Sequence, residues 1–265
     1  MRNTKMAQAK RARYRFFIDP ACIDSQSGRA SSDESRLSHQ VRNVLRLKAG
    51  DQAELLDGLG NLYEAQLLNA GRTYIEFALG KVSRQAPPTL KVTSCLPLIK
   101  AHRFEWALEK LTELGVSRIA PFYSERCVVK LKAGEEGRSR RWLSICKEAA
   151  EQCERYYLPE LAEPLPLSEL ARRDERALKL ILSERSKAPD MVSTLYKRIS
   201  AAKPTDAPLE IFILGGPEGG FSEDEQALIV ANKFQPVSLG RTILRSETAC
   251  ILAAGLASVI ERKED

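Results

Sequence analysis

The chain is short of the residues that build metal sites and disulfide frameworks. Histidine occurs only twice in 265 residues, and the six cysteines (Cys22, Cys95, Cys127, Cys146, Cys153 and Cys250) include no C-x-x-C pair. No zinc-ligand spacing is present, so the expectation is no bound metal. Long apolar runs are missing too. No window reaches the roughly twenty apolar residues that cross a bilayer, and the opening MRNTKMAQAKRAR lacks the apolar stretch of a signal peptide. A cytoplasmic protein without a membrane partner is predicted, its thiols reading as small buried hydrophobes of a reducing compartment. Hydrophobic residues make up 43% and charged residues 29% of the chain, the balance of a globular protein with one large core or two modest ones.

Charge is present in both signs but unevenly placed. Residues 1–48 carry eleven Lys and Arg against four Asp and Glu, and the remaining residues thirty against thirty-one. The whole surplus of +6 is therefore N-terminal. Clustered Lys and Arg beside a neutral remainder point to a polyanion, whose binding is driven by counterion release. Residues 1–12 read as a basic, solvated extension. Arg13, Arg15, Arg36, Arg42 and Arg46 fall in or beside predicted elements and are the better candidates for contact with phosphates.

From Tyr14 to Val82 the pattern is of short strands around one helix: YRFFI, a loop rich in Ser and Asp, a helix from about Asp33 to Arg46, then AELLDG, NLYEAQLL and TYIEFALGKV. DGLGN, Asp57 to Asn61, reads as a hairpin turn, since Asp-Gly and Gly-Asn accept the positive φ such turns need. A small, mainly β barrel is expected over residues 13–85. SRQAPPT, Ser83 to Thr89, has the composition of a connection. Beyond it, in 86–265, strands and helices alternate, which predicts a mostly parallel α/β sheet with helices on both faces. In the first of these helices Phe104, Leu108, Leu111 and Leu114 form an apolar stripe and Gly115 supplies the stop. A later helix is expected from about Glu136 to Tyr157, ending before Pro159.

Two segments near the C-terminus could carry chemistry. GGPEGGFS, Gly215 to Ser222, follows the apolar strand IFIL and precedes a helix opening at Ser222 with an acidic first turn. Such a loop exposes backbone amides to a ligand. A triphosphate loop requires lysine where Phe221 stands, and the dinucleotide pattern G-x-G-x-x-G is absent. Glu218 would repel phosphate, whereas adenosylmethionine carries no phosphate and a positive sulfonium. A tight turn without ligand is the alternative. SLGRTILRSETA, Ser238 to Ala249, sets Arg241, Arg245 and Glu247 around Ile243 and Leu244, a cluster that is equally readable as a structural ion pair.

RYRFFI, HQVRNVLRLKAGD from His39, FEWALEKLTELGVSRIAPFYSERCVVK from Phe104, WLSICKEAAEQCER from Trp142 and both C-terminal segments resemble, in order and spacing, the 16S rRNA (uracil-N3)-methyltransferases of the RsmE family within the SPOUT superfamily. The resemblance spans about Arg13 to Glu261. It implies a PUA-like RNA-binding domain followed by a SPOUT α/β methyltransferase domain with a C-terminal trefoil knot, a feature that sequence pattern alone does not signal. It also implies a homodimer acting on 16S rRNA of the small ribosomal subunit with S-adenosylmethionine as cofactor. By motif, the cofactor residues would be Gly216, Pro217, Glu218, Gly219, Gly220, Leu239, Gly240, Ile243, Leu244 and Arg245. Glu125, Arg126, Gln152 and Arg155 would lie toward the cleft. Arg245 and Glu247 would be catalytic, the first stabilising charge on a uracil oxygen and the second accepting a proton or orienting Arg245. RNA would be held by Arg13, Arg15, His39, Arg42, Arg46, Arg126 and Arg155.

Three positions depart from the family pattern. Arg241 stands where the last motif has proline and Thr242 where it has arginine, EQCGR becomes EQCER at Glu154, and Gly215 replaces an aliphatic residue, which is expected only to loosen the turn. Two rivals stay open: a non-catalytic rRNA-binding or assembly factor, and a SPOUT enzyme that methylates a ribose 2′-oxygen or a guanine nitrogen.

Overall fold

The computed structural model describes residues 14–127, 129, 136–173, 176–183, 188–201 and 208–261. The expected extension 1–12, Arg13, and Val128 and Lys130 of SERCVVK lie outside the described residues. The chain divides into two compact units, Met1–Ala86 and Pro87–Asp265.

The first unit is a six-stranded sheet: β1 (Tyr14–Phe17), β2 (Ile23–Asp24), β3 (Arg29–Ser32), β4 (Gln52–Leu56), β5 (Asn61–Ala70) and β6 (Ile75–Arg84), ordered β1-β4-β5-β6-β3-β2. Neighbours are antiparallel except β1 beside β4. Its core is Phe16, Leu55, Leu67, Ile75 and Phe77, covered by Leu37 and Val41. The turn at Asp57 forms as expected: Oδ1 accepts from the amides of Leu59 (2.8 Å) and Asn61 (3.0 Å), with Gly58 at φ 73° and Gly60 at φ 102°.

Three expectations for this unit are corrected. The Ser- and Asp-rich loop contains a 3₁₀ turn (Pro20–Cys22) and the β2–β3 hairpin, closed by Asp24 Oδ1 on the amides of Gln26 (2.9 Å) and Ser27 (3.2 Å). Side-chain capping by Asp substitutes there for alternating hydrophobicity. The helix is shorter than expected: α1 (Ser35–His39) widens into one π turn (Gln40–Val44), and Arg46 adopts φ 54°. Likewise β6 runs into the stretch expected to be a connection.

The second unit contains β7 (Leu90–Pro97), α2 (Ala101–Glu113), β8 (Arg118–Tyr123), α3 (Glu136–Gln152), β9 (Glu160–Leu161), β10 (Leu165–Pro166), α4 (Leu167–Leu170), β11 (Leu178–Leu182), α5 (Met191–Ser200), β12 (Leu209–Leu214), α6 (Glu223–Ala231), β13 (Gln235–Val237) and α7 (Ser246–Glu261). The sheet runs β10-β8-β7-β12-β11-β13, parallel throughout, with β9 also on the β8 edge. The chain proceeds from β7 to β8 in one direction, and later strands fill the other side of β7. The strand order therefore reverses between β7 and β12, and open α/β sheets bind ligands outside the carboxyl ends of their strands at such a switch point. Among the described residues no helix is long and apolar enough to cross a membrane.

Helix ends here follow local chemistry. Phe104, Ala107, Leu108 and Leu111 of α2 are buried, and Gly115 (φ 87°) ends it, with the Val116 amide on Leu111 O at 3.3 Å. α3 stops five residues before the expected Tyr157, in the same motif: Arg155 N donates to Ala150 O (3.0 Å) and Glu154 N to Glu151 O (3.4 Å). Glu154 therefore occupies the left-handed position, at φ 61°, where the family motif has glycine. A non-glycine residue there costs about 1 kcal/mol. Glu154→Gly is expected to raise unfolding free energy by about that amount in denaturant titration, with an unchanged m-value.

Candidate functional site

Four loops meet at the carboxyl ends of β8, β7, β12 and β13. After β12 the chain enters Gly215–Gly220. Phe221, where a triphosphate loop would have lysine, anchors this loop by stacking on Phe122 at 6.5 Å and 16°. Ser222 then caps α6 reciprocally with Glu225, whose other carboxylate oxygen accepts from the Glu125 amide at 2.8 Å. That bond ties the loop after β8 to the start of α6. Gly219 presses on the same loop: a Cβ there would lie 3.0 Å from Arg126 Cβ and 3.2 Å from Arg126 O, and Arg126 Nη1 donates to Gly219 O at 3.4 Å.

Gly215 corrects an expectation. A Cβ at this position would collide with Cys250 Sγ of α7 and lie 3.5 Å from Cys95 O. The residue is dictated by space, since α7 packs its small residues Cys250, Ala253, Ala254 and Ala257 inside the core. At the start of α7, Ser246 Oγ donates to Gly216 O at 2.7 Å, closing the glycine loop against the helix.

The electrostatic centre is Arg103, which sequence reasoning missed. From the first turn of α2 it pairs with Glu218 of the glycine loop, and its Nε lies 3.6 Å from Glu247 Oε1 of α7. Glu218 is thus partly neutralised, which weakens the sequence argument that its charge repels phosphate. Glu247 is 3% exposed, and its Oε2 has no hydrogen-bond partner among the described residues. A buried, unpaired acceptor costs on the order of 1–3 kcal/mol, so this oxygen is poised for a donor from outside. Burial, reinforced by the charge of Glu247, pushes the Cys250 thiol up to about 12, so it stays protonated. A hint of Arg103 does exist in the sequence: a cation in a helix's first turn opposes the macrodipole and calls for a carboxylate partner.

The structure brings Gly216, Pro217, Glu218, Gly219 and Gly220 together with Ser246 and Glu247. Leu239 is half-buried on the core, Gly240 is exposed at φ 130°, Leu244 is half-buried, and Ile243 is exposed. Arg245 is exposed and makes no ion pair among the described residues, so Glu247 orients Arg103 here and not Arg245. Gln152 is exposed at the end of α3. Arg155 is spent internally: its guanidinium donates to Thr112 O (2.6 Å) and Val116 O (3.0 Å), capping α2, and burial lowers its pKa. Arg15 pairs with the buried Glu54 at 2.6 Å. These two arginines have structural roles. His39, Arg42 and Arg46 are exposed.

A family model described as an RNA methyltransferase domain matches residues 86–258, and an RNA methyltransferase PUA domain matches 41–79. The ribosomal RNA small subunit methyltransferase E of Synechocystis is 36% identical over 217 residues, covering 81% of this chain and 68% of that protein. The chain belongs to the ribosomal RNA small subunit methyltransferase E family. The Bacillus subtilis member is 29% identical over 250 residues, 92% of this chain and 95% of its own. Among solved structures, the family member from Neisseria gonorrhoeae bound to S-adenosyl methionine aligns with TM-score 0.75 at 26% identity, covering 91% and 95% of the two chains. A Legionella pneumophila protein solved with bound cofactor SAM aligns at TM-score 0.80 and 29% identity over 93% and 97%. The family therefore accounts for both architectures, a PUA-like first domain and a parallel-sheet SPOUT methyltransferase domain.

Proposed function

We propose that the chain transfers a methyl group from S-adenosylmethionine to N3 of a uridine in 16S rRNA of the small ribosomal subunit. The observation that carries this is the buried Glu247 carboxylate, held by Arg103 through one oxygen and unpartnered at the other, beside the glycine loop of β12 in a chain of this family. When bound, adenosylmethionine supplies an electrophilic methyl on its sulfonium. Gly216, Pro217, Glu218, Gly219 and Gly220, with Leu239, Gly240, Ile243 and Leu244, are the residues proposed to hold it. Two carboxylates, Glu218 and Glu247, against the one guanidinium of Arg103 give this cluster a net negative charge suited to a cation.

N3 of uracil carries a proton and lies on the pairing edge, so the target uridine must be unpaired or turned out of its stack. Glu247 offers Oε2 as the proton acceptor. Arg245, exposed and unpaired among the described residues, stabilises the charge that develops on a uracil oxygen, commonly the larger contribution. Arg245→Ala is expected to lower kcat by about 100-fold or more while calorimetry with adenosylmethionine gives the wild-type affinity. Wild-type turnover in that variant would sink the assigned role.

His39, Arg42, Arg46, Arg126 and, outside the described residues, Arg13 are the proposed RNA contacts, in a cytoplasmic protein. A homodimer is proposed from one apolar face: Val192 and Tyr196 of α5 and Leu252 and Val259 of α7 are exposed on adjacent helices, with Ile243 exposed just before α7. The return of α7 from the β13 edge onto β7 and α2, with Ser246 on Gly216, supports a trefoil knot at the C-terminus.

A further inference from the structure

We infer that the N-terminal unit carries a pocket for one unstacked ribonucleotide, walled by Ser38, His39, Arg42, Asn43 and Arg72. It deepens the reading above, on which the chain acts on RNA, and shares no residue with the methyl-transfer site. A cavity of about 550 Å³ opens where α1 and its π turn face the turn between β5 and β6. Small-ligand sites span about 300–1,000 Å³. Ser35, Ser38, His39, Arg42 and Asn43 recur at three- and four-residue steps, so one face of this helical stretch lines the cavity while Leu37 and Val41 bury the other in the core.

The wall carries Arg36, Arg42, Arg72 and His39 and no carboxylate among its lining residues. Guanidinium groups fit phosphate oxygens as forks, so Arg42 and Arg72, which both line the cavity, favour an anion. A phosphate alone leaves part of the wall unexplained. Ser38 is fully buried, and its Oγ has no hydrogen-bond partner among the described residues. Buried hydroxyls are nearly always bonded, so a partner from outside the chain completes it. Asn43 adds an amide with donor and acceptor, the groups that read a base edge, and the His39 ring offers a face for stacking. Phosphate grip, edge-reading polar groups and a flat ring together fit one nucleotide better than a bare phosphate.

Fluorescence anisotropy with the full chain and a short fluorescein-labelled single-stranded RNA, across a salt series, tests this. Arg42→Ala and Arg72→Ala are each expected to weaken binding about tenfold and to reduce the slope of log K against log salt by about one. Ser38→Ala is expected to weaken binding several-fold at unchanged salt slope, with no loss of thermal stability, because it removes an unpartnered hydroxyl. Lys81→Ala, exposed on β6 outside the cavity, should bind as wild type. Wild-type affinity in Ser38→Ala overturns the pocket, whether the arginine variants weaken, which leaves a basic surface only, or not. Adenosylmethionine calorimetry keeps the two readings apart: no heat with the wild-type chain defeats the methyltransferase reading and leaves the RNA titration standing.

Discussion

Arg103→Ala is expected to lower kcat/KM for methyl transfer by about 100-fold or more, the size of effect produced when reacting groups are displaced by about 1 Å. The argument is one of neighbours. Arg103 is the cation between Glu218 and Glu247. Its removal leaves Glu247 buried with neither oxygen paired to a cation, and frees Glu218 and the glycine loop from α2. The double variant Arg103→Met with Glu247→Gln should recover the fold by removing the uncompensated charge, yet not turnover. Arg141 provides the contrast. Its fork on Glu105, at 2.5 and 2.7 Å, has better geometry, but Arg141 is exposed, and Arg141→Ala is expected to turn over as wild type. Equal activity in Arg103→Ala and Arg141→Ala would remove Arg103 from the site.

The second large effect is expected at Gly215. Gly215→Ala drives a methyl group into Cys250 Sγ with Cys95 O and Pro97 Cδ behind it, at 3.5 and 3.7 Å. Overpacking of this kind costs about 1–3 kcal/mol, which calorimetry would register as about 2–4 °C per kcal/mol for a unit of this size. Because Cys250 lies one turn beyond Glu247 on α7, the same shift displaces the carboxylate and lowers activity. Cys250→Ala in the Gly215→Ala background opens the space, so the pair should be more stable than the sum of the single effects. Additive losses would mean that the collision with Cys250 does not govern the position.

Much of this was legible along the chain, wherever neighbours in sequence are also neighbours in space. The apolar stripe of α2 with its Gly115 stop, the alternation of strands and helices in the second unit, the Asp57 turn and the Ser222 cap all depend on residues within about one or two helical turns of one another. The glycine loop and the segment around Glu247 stood out as candidates for the same reason. Arg103 was not, because it lies 115 residues from its partner Glu218 and nothing local links them. The β2–β3 hairpin was hidden by its polar composition, and β9, two residues long, has no periodicity to show. At Gly215 and Glu154 the sequence displays a departure but not its consequence: one depends on a helix arriving from far along the chain, the other on a backbone angle. Arg15 and Arg155 look like any other arginine until their carboxylate and carbonyl partners are seen.

The central claim is chemical, and nucleoside mass spectrometry tests it most directly. Small-subunit rRNA from a strain lacking this gene, incubated with the purified chain and isotopically labelled adenosylmethionine, should yield labelled N3-methyluridine, with Arg245→Ala sharply reduced. Label on a ribose 2′-oxygen or a guanine nitrogen, or no label despite cofactor binding, would contradict it.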